Sequence, residues 1–284
     1  MKQILVTGAQ GLVGAHLVPM LAREHCVFAL GRSPGNTQEN VTPVVVDLGA
    51  PLDLALLPER IDAVVHLAQS RNWRDFPGGA ADVRAINVDL PLVLIDAARQ
   101  RGATAFVHAS TGSIYAPSSE TLTEESPVSA SGFYAASKRA AELLLKPYEA
   151  LMAVTALRFF TVYGPGQRSD MLIPRLIDNV RAGRPVTLQG QSGLVMNPIH
   201  AEDAARAVIA ALALTTSETI NVAGPEEVSI RNICEVAGAK LGNAPNFDVA
   251  ADAPAPRMVA DISRMTDLLG APTVRFADSV AALL

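Results

Sequence analysis

Lys2–Gly14, KQILVTGAQGLVG, is the stretch on which the fold turns. Ile4, Leu5 and Val6 make the short apolar run that a buried parallel strand needs, and Gly8, Gly11 and Gly14 punctuate the residues after it. The pattern predicts strand, tight turn, helix. Such a turn aims the backbone N–H groups of Gln10 to Val13, together with the positive end of a helix dipole, at one point, which suits a pyrophosphate. In this reading Gly8 makes the turn, Gly11 admits the phosphate and Gly14 lets helix approach strand.

Working outward, Ala15 to Glu24 continues the first helix with Leu17, Val18 and Leu21 on one face, and Pro19 predicts a kink in it. His25 to Leu30 reads as the second strand. Dinucleotide folds place an acid for the adenosine ribose at its end, and here Gly31, Arg32 and Ser33 occupy that corner. With no carboxylate for a free 2′-hydroxyl, and a guanidinium and a hydroxyl suited to a phosphate, the corner leans toward NADP, with NAD as the alternative. Val44 to Val46, ending in Asp47, and Ile61 to Leu67, ending in Ala68, are further strands. Ala80 to Arg101 reads as one long helix, apolar on more than one face. Thr104 to Ala109 is a strand running into the hydroxyl-rich loop Ser110 to Tyr115, FYAASKRAAELLL is a helix ending near Pro147, and Val154 to Phe160 is a sixth strand.

Strands alternating with helices argue an α/β fold built on a doubly wound parallel sheet of Rossmann type. The turn-rich Tyr163-Gly164-Pro165-Gly166 marks a boundary. Residues 1–165 are expected to form the dinucleotide-binding domain, with 194–214 packing back on it. Residues 166–193 and 215–284 are expected to form a smaller α+β substrate-binding lobe that closes over the cofactor domain.

The chain has 284 residues, 49% of them hydrophobic, so a large core is available and disorder is excluded. Its net charge is −5 and no Lys/Arg cluster stands out, which argues against a nucleic-acid partner and for a small-molecule one. Cys26 and Cys234 are the only cysteines, too few and too far apart for a disulfide framework or thiolate metal site. The start of the chain runs directly into strand and glycine turn without a cleavage pattern, so no signal peptide is expected. No apolar stretch reaches the roughly 18 residues of a membrane span. A cytoplasmic protein is expected, with no membrane partner.

Tyr134 and Lys138 stand four apart and share a helix face. A lysine cation one turn away and the dipole at the helix start favour the phenolate, which lowers the phenol toward the range of a general acid/base. Thr111, at the end of a neighbouring strand, is placed to hold a substrate oxygen beside it. His16, His25, His66, His108 and His200 have no metal-ligand spacing and read as core or surface residues. Trp73, in the loop after the fourth strand, either faces the substrate or packs a surface loop, and Arg71, Arg74, Arg168 and Arg257 are candidates to meet an anionic group.

Together TGAQGLVG, VVVDL, VVHLA, Asn87-Val88, STGSIY, YAASK and LRFFTVYGPGQR resemble the extended short-chain dehydrogenase/reductase superfamily, in its NAD(P)-dependent epimerase/dehydratase branch, in the family's order along nearly the whole chain. The resemblance implies that Gly8, Gly11, Leu12 and Val13 hold the pyrophosphate, Asp47 and Leu48 the adenine, and Leu67 and Ala68 the nicotinamide half, with Gln69 a further cofactor contact. It implies Thr111, Tyr134 and Lys138 as the catalytic residues, with Tyr134 and Lys138 also contacting the cofactor. Gly112 and Ser113 stand where the family's dehydratases carry Asp-Glu, which argues against dehydration. Thr161 and Met196 replace an Asn and an Arg of the nucleotide-sugar enzymes, which counts against a nucleotide-sugar substrate.

The expected activity is therefore that of an NAD(P)-dependent epimerase or reductase acting on a hydroxyl or ketone carbon of a sugar-like or other small substrate. The alternative is a non-catalytic NAD(P)-binding redox-sensing or regulatory module. A homodimer is expected, with the Ala80–Arg101 helix and the Tyr134 helix of each copy forming a four-helix interface, as the resemblance also implies.

Overall fold

The computed structural model describes residues 1–35 and 38–284. The chain divides into two compact units. The first comprises Met1–Ala116, Pro127–Phe159 and Ala205–Ile220, and the second Pro117–Ser126, Phe160–Ala204 and Asn221–Leu284.

The first unit is built on a seven-stranded sheet. The sheet's strands are β1 (Gln3–Thr7), β2 (Cys26–Gly31), β3 (Val41–Val45), β4 (Ala63–His66), β5 (Ala105–Thr111), β6 (Ala153–Phe159) and Glu218–Val222, whose last two residues are counted with the second unit. Their spatial order is Glu218–Val222, β6, β5, β4, β1, β2, β3. The pairs from β6 through to β3 are all parallel. The order reverses beside β1, the place where a doubly wound sheet opens a crevice at its carboxyl edge.

The helices follow from the same residues that marked them in sequence, with informative shifts. Helix α1 (Leu12–Leu21) keeps Leu17, Val18 and Leu21 buried. It stops three residues short of Glu24, and Pro19 lies exposed inside its last turn, where its ring removes the bond to the Ala15 carbonyl and the helix ends two residues later. The long helix expected over 80–101 is α2 (Ala80–Arg84), a π-helical stretch at Ala85–Asp89 and α3 (Leu90–Gln100). The widened turn buries Asn87 completely. Such single π turns cluster at functional sites because the extra residue redirects a side chain. Helix α4 (Phe133–Leu145) buries Ala135, Ala141 and Leu145, and with them the polar Ser137, Lys138 and Glu142. Leu5, Val64, Phe106, Leu90, Leu94, Ile95 and Leu145 form the core between sheet and helices.

In the second unit, α5 (Leu172–Arg181) buries Ile173, Leu176, Ile177 and Val180, spaced three and four apart. They pack in one cluster with Ile233, Cys234 and Ala237 of Ile230–Leu241, a helix opened by a reciprocal Ser229/Asn232 capping box. Short strands surround this core: Val186–Gln189 pairs in parallel with Phe247–Ala250, and Val195–Met196 lies between Val228–Ser229 and Arg257–Met258. Among the described residues no helix is long and apolar enough to cross a membrane.

Candidate active site

The glycine turn forms a cradle that side chains would fill. Gly8 has φ +71°, and a Cβ there would stand 2.8 Å from Ala68 N and from the carbonyl carbon of Leu67. At Gly14 a Cβ would stand 2.2 Å from Gly8 O, so α1 can cross β1 this closely only with glycine. The turn opens α1, whose first N–H groups lack partners within the helix. An open groove of about 410 Å³ runs from it.

Eight of the ten residues expected to hold cofactor outside the catalytic helix line that groove: Gly8, Gly11, Arg32, Asp47, Leu48, Leu67, Ala68 and Gln69. Leu12 and Val13 instead form the first turn of α1 and are not among the lining residues. Gln10, whose backbone N–H the sequence aims at the pyrophosphate, also lines it, as do Arg71, Asn72, Asp82 and Ile86, which have no cofactor role in the sequence reading. Asn87-Val88 was the one nearby signal, since Ile86 of the groove wall stands beside Asn87 in the π turn.

The Gly31–Ser33 corner differs from expectation at one residue. Ser33, read as a second phosphate donor, gives its hydroxyl to Gln10 Oε1 at 2.9 Å, while Gln10 Nε2 returns a bond to Ser33 O at 2.6 Å. This reciprocal clamp ties the corner to the glycine turn, while Arg32 of the same corner lines the groove.

The catalytic candidates meet beyond the Gln69 end of the groove. Thr111, the last residue of β5, accepts from Ser113 N–H at 3.1 Å and is hydrogen-bonded to Tyr134. Tyr134 donates its hydroxyl to Gln69 Oε1 at 3.2 Å, so the Thr111 hydroxyl donates to the phenol oxygen. Trp73 packs its ring on that of Tyr134 with centroids 5.1 Å apart, and Arg74 lies 4.4 Å above the indole. The loop reading of Trp73 thus resolves to a packed cover over the tyrosine.

Lys138 does not act on the phenol as expected. It is fully buried and donates from Nζ to Ala109 O at 2.8 Å. Burial pushes the Tyr134 phenol up to about 12, opposed by the Thr111 bond, and burial draws Lys138 down to about 8, opposed by the Glu142 carboxylate. The expected lowering of Tyr134 fails because desolvation of the phenolate outweighs what this lysine, turned toward a strand carbonyl, returns.

Glu142, two turns beyond Tyr134, is clamped by Arg158 through Nε at 3.0 Å and Nη2 at 2.9 Å, and by Arg139 at 2.8 Å. Those cations hold its carboxyl below the usual range despite burial. Ser110, beside Thr111, also donates to Glu142. The end of β5 is therefore fixed from beneath.

Comparison with known proteins agrees with this architecture. The family model described as NAD dependent epimerase/dehydratase family matches residues 4–223. The uncharacterized UDP-glucose epimerase YtcB of Bacillus subtilis is 30% identical over 251 residues, covering 81% of this chain and 79% of that protein. MoeE5, solved with UDP-glucuronic acid and NAD, is 28% identical with a TM-score of 0.85, over 99% of this chain and 97% of that one. The UDP-glucuronic acid 4-epimerase from Bacillus cereus, solved with NAD, is 28% identical with a TM-score of 0.86, over 99% and 94% of the two chains. With more than half of its length matched and relatives aligned end to end, the chain belongs to the NAD dependent epimerase/dehydratase family of nicotinamide-dependent enzymes.

Proposed function

We propose that this enzyme is an epimerase or reductase that works on a carbinol or ketone carbon of a sugar-like substrate, with Tyr134 as its acid/base. The observation that carries this is the chain of bonds from Ser113 N–H through Thr111 and Tyr134 to Gln69, a groove-lining residue. Gly8, Gly11 and the start of α1 hold the pyrophosphate, Asp47 and Leu48 the adenine, and Leu67, Ala68 and Gln69 the nicotinamide end. Bound nicotinamide supplies a hydride acceptor and donor. Tyr134 exchanges a proton with the substrate oxygen, giving it to a carbonyl and taking it from a hydroxyl, Thr111 orients that oxygen, and Lys138 contacts the ribose. Gly112 and Ser113, in the turn after Thr111, bring no carboxylate for elimination, so dehydration is not assigned. We assign cofactor binding to the first compact unit and substrate recognition to the second. Proton NMR of the chain with NAD or NADP and UDP-glucuronate, UDP-glucose or the free sugars tests the reading, because epimerisation is silent at the nicotinamide absorbance. Turnover of none of them, with cofactor bound, removes support for a sugar substrate.

The cofactor preference proposed is for NADP. Its support is Arg32 on the groove wall beside a corner without a carboxylate; the solved relatives named above hold NAD, which is the competing cofactor. With Ser33 engaged by Gln10, selectivity rests on Arg32. Arg32→Ala is expected to weaken NADP roughly tenfold while leaving NAD nearly unchanged, since one charge-assisted bond is worth about 1.5–3 kcal/mol. Equal affinities of the unaltered protein for the two cofactors would overturn the preference.

A homodimer completes the proposal. Val93 on α3 and Leu143 and Leu144 on α4 are 40%, 52% and 47% exposed, an apolar surface suited to a mating helix pair. Light scattering is expected to give twice 29.8 kDa, and Leu144→Glu to move the mass toward the single-chain value. A mass of 29.8 kDa for the unaltered chain at micromolar concentration counts against the dimer.

A further inference from the structure

The loop from β4 to α2 reaches the cofactor groove and the catalytic phenol at once. Ser70 is 1% exposed, and its hydroxyl donates to Asp82 Oδ2. Asn72 Nδ2 donates to the same oxygen at 3.3 Å, and Asn72 N–H closes on Ser70 Oγ at 3.0 Å. Between these two tethered residues stands Arg71, which lines the groove together with Asn72 and Asp82. The backbone on either side of Arg71 is thus fixed, and less freedom remains to be lost when its guanidinium meets a ligand.

The tether continues into the catalytic helix. Ser70 N–H donates to Asn87 Oδ1 at 3.3 Å, Asn87 Nδ2 donates to Ser137 Oγ at 3.0 Å, and Ser137 Oγ donates to Tyr134 O at 2.7 Å. Gln69 and Trp73, at the two ends of the same short segment, touch the Tyr134 side chain directly.

We propose that Asp82 is a positioning residue of this active site, latching Ser70 and Asn72 so that Arg71 is held in the groove as a ligand for a phosphate of the bound dinucleotide. The proposal rests on the cofactor reading of the groove, not on the role of Tyr134. A planar guanidinium matches phosphate oxygens whether they belong to the pyrophosphate or to a 2′-phosphate. Equal weakening of NAD and NADP in Arg71→Gln identifies the pyrophosphate, and weakening of NADP alone identifies the 2′-phosphate; either outcome supports the assignment.

Trp73 is the single tryptophan and packs on Tyr134, so its emission reports on this segment without any substrate. NAD and NADP are titrated against the full chain while that emission is followed. Asp82→Ala and Arg71→Gln are each expected to weaken binding roughly tenfold, the loss of one charge-assisted contact. The double variant is expected to bind no more weakly than Asp82→Ala alone, because the carboxylate acts through the guanidinium. Asp82→Asn, which keeps an acceptor oxygen for Ser70, is expected to recover most of the affinity. Asp82→Ala, but not Arg71→Gln, is expected to shift the Trp73 emission of the cofactor-free protein.

Undiminished affinity in Asp82→Ala, or losses that add in the double variant, would overturn the proposal. Should Asp82→Ala fail to fold, Ser70→Ala removes one arm of the latch and leaves the carboxylate, and full cofactor affinity in that variant overturns the proposal equally. An unaltered chain that binds neither cofactor defeats the cofactor reading itself, a result distinct from a failed latch.

Discussion

Tyr134→Phe is expected to lower turnover about a thousandfold while cofactor affinity stays within about twofold, the usual scale for loss of a positioned proton carrier. The substitution removes one oxygen. The ring that Trp73 packs against is retained, and the glycine turn that grips the dinucleotide stands on β1 and α1, away from α4. What is lost is the proton position between the Thr111 and Gln69 contacts. With burial pushing the phenol to about 12, Tyr134 rests in its neutral form at physiological pH, ready to donate. A Thr111→Val companion removes the hydroxyl that donates to the phenol oxygen, and is expected to lower kcat more than it raises KM. Steady-state rates beside a cofactor titration decide this, and full activity in Tyr134→Phe would remove Tyr134 from the mechanism.

The second large effect lies under the site, where acid is expected to unfold the protein through two histidines. His66 on β4 and His108 on β5 are partners in register, completely buried, with rings stacked at 5.5 Å and only 7° from parallel. His66 Nδ1 is hydrogen-bonded to Thr7 Oγ1 at 2.8 Å, and Thr7 Oγ1 also accepts from Ala68 N–H. Neither ring nitrogen of His108 has a partner. Burial, and then the nearby Lys138 charge, draw His66 down to about 3 and His108 well below its ordinary 6.5.

A group whose folded value is depressed refuses a proton that the unfolded chain accepts. The stability is whole above pH 6.5 and is lost as pH falls below it, toward the folded values. At about 1.4 kcal/mol per unit, pH 5 costs about 2 kcal/mol through His66, and His108 adds a loss of the same sign, against a typical total of 5–15. Lys138, lowered from 10.5 to about 8, changes stability only between those values and leaves the acid limb alone. Denaturant unfolding at pH 7.5 and at pH 5 measures the loss. His108→Phe is expected to reduce it, and to raise stability at pH 7.5 by about 1–2 kcal/mol because an apolar ring removes two unpartnered buried nitrogens. An unchanged pH slope in that variant would show that His108 does not carry the acid sensitivity.

Much of this protein is written in local sequence. The apolar run Ile4–Val6 and the three glycines after it need only steric facts to yield strand, turn and helix, because Gly14 alone permits a helix to lie on Gly8 O. Alternating strands and helices gave the parallel sheet, and the four-residue step from Tyr134 to Lys138 placed both on one turn of α4. These are short-range properties, set by neighbours along the chain.

What escaped was set by neighbours in space. Nothing in the segment Gln69–Arg74 announces that Gln69 meets a phenol 65 positions away, or that Ser70 and Asn72 share the carboxylate of Asp82. The same segment also meets Asn87 through Ser70 N–H, and Asn87 lies in the π turn at Ala85–Asp89, a local irregularity that apolar periodicity does not encode. Ser33 looked available until Gln10, from the glycine turn, was found to hold it. The charge state of Tyr134 was misjudged for the same reason: spacing put a cation one turn away, but burial, and the β5 carbonyl toward which Lys138 turns, exist only once the sheet is assembled. The sequence alone determined the fold and the residue types on the catalytic helix, since backbone sterics and periodicity are local. Tertiary structure alone decided the protonation of those residues and the company they keep, since desolvation and hydrogen bonding depend on every element packed around them.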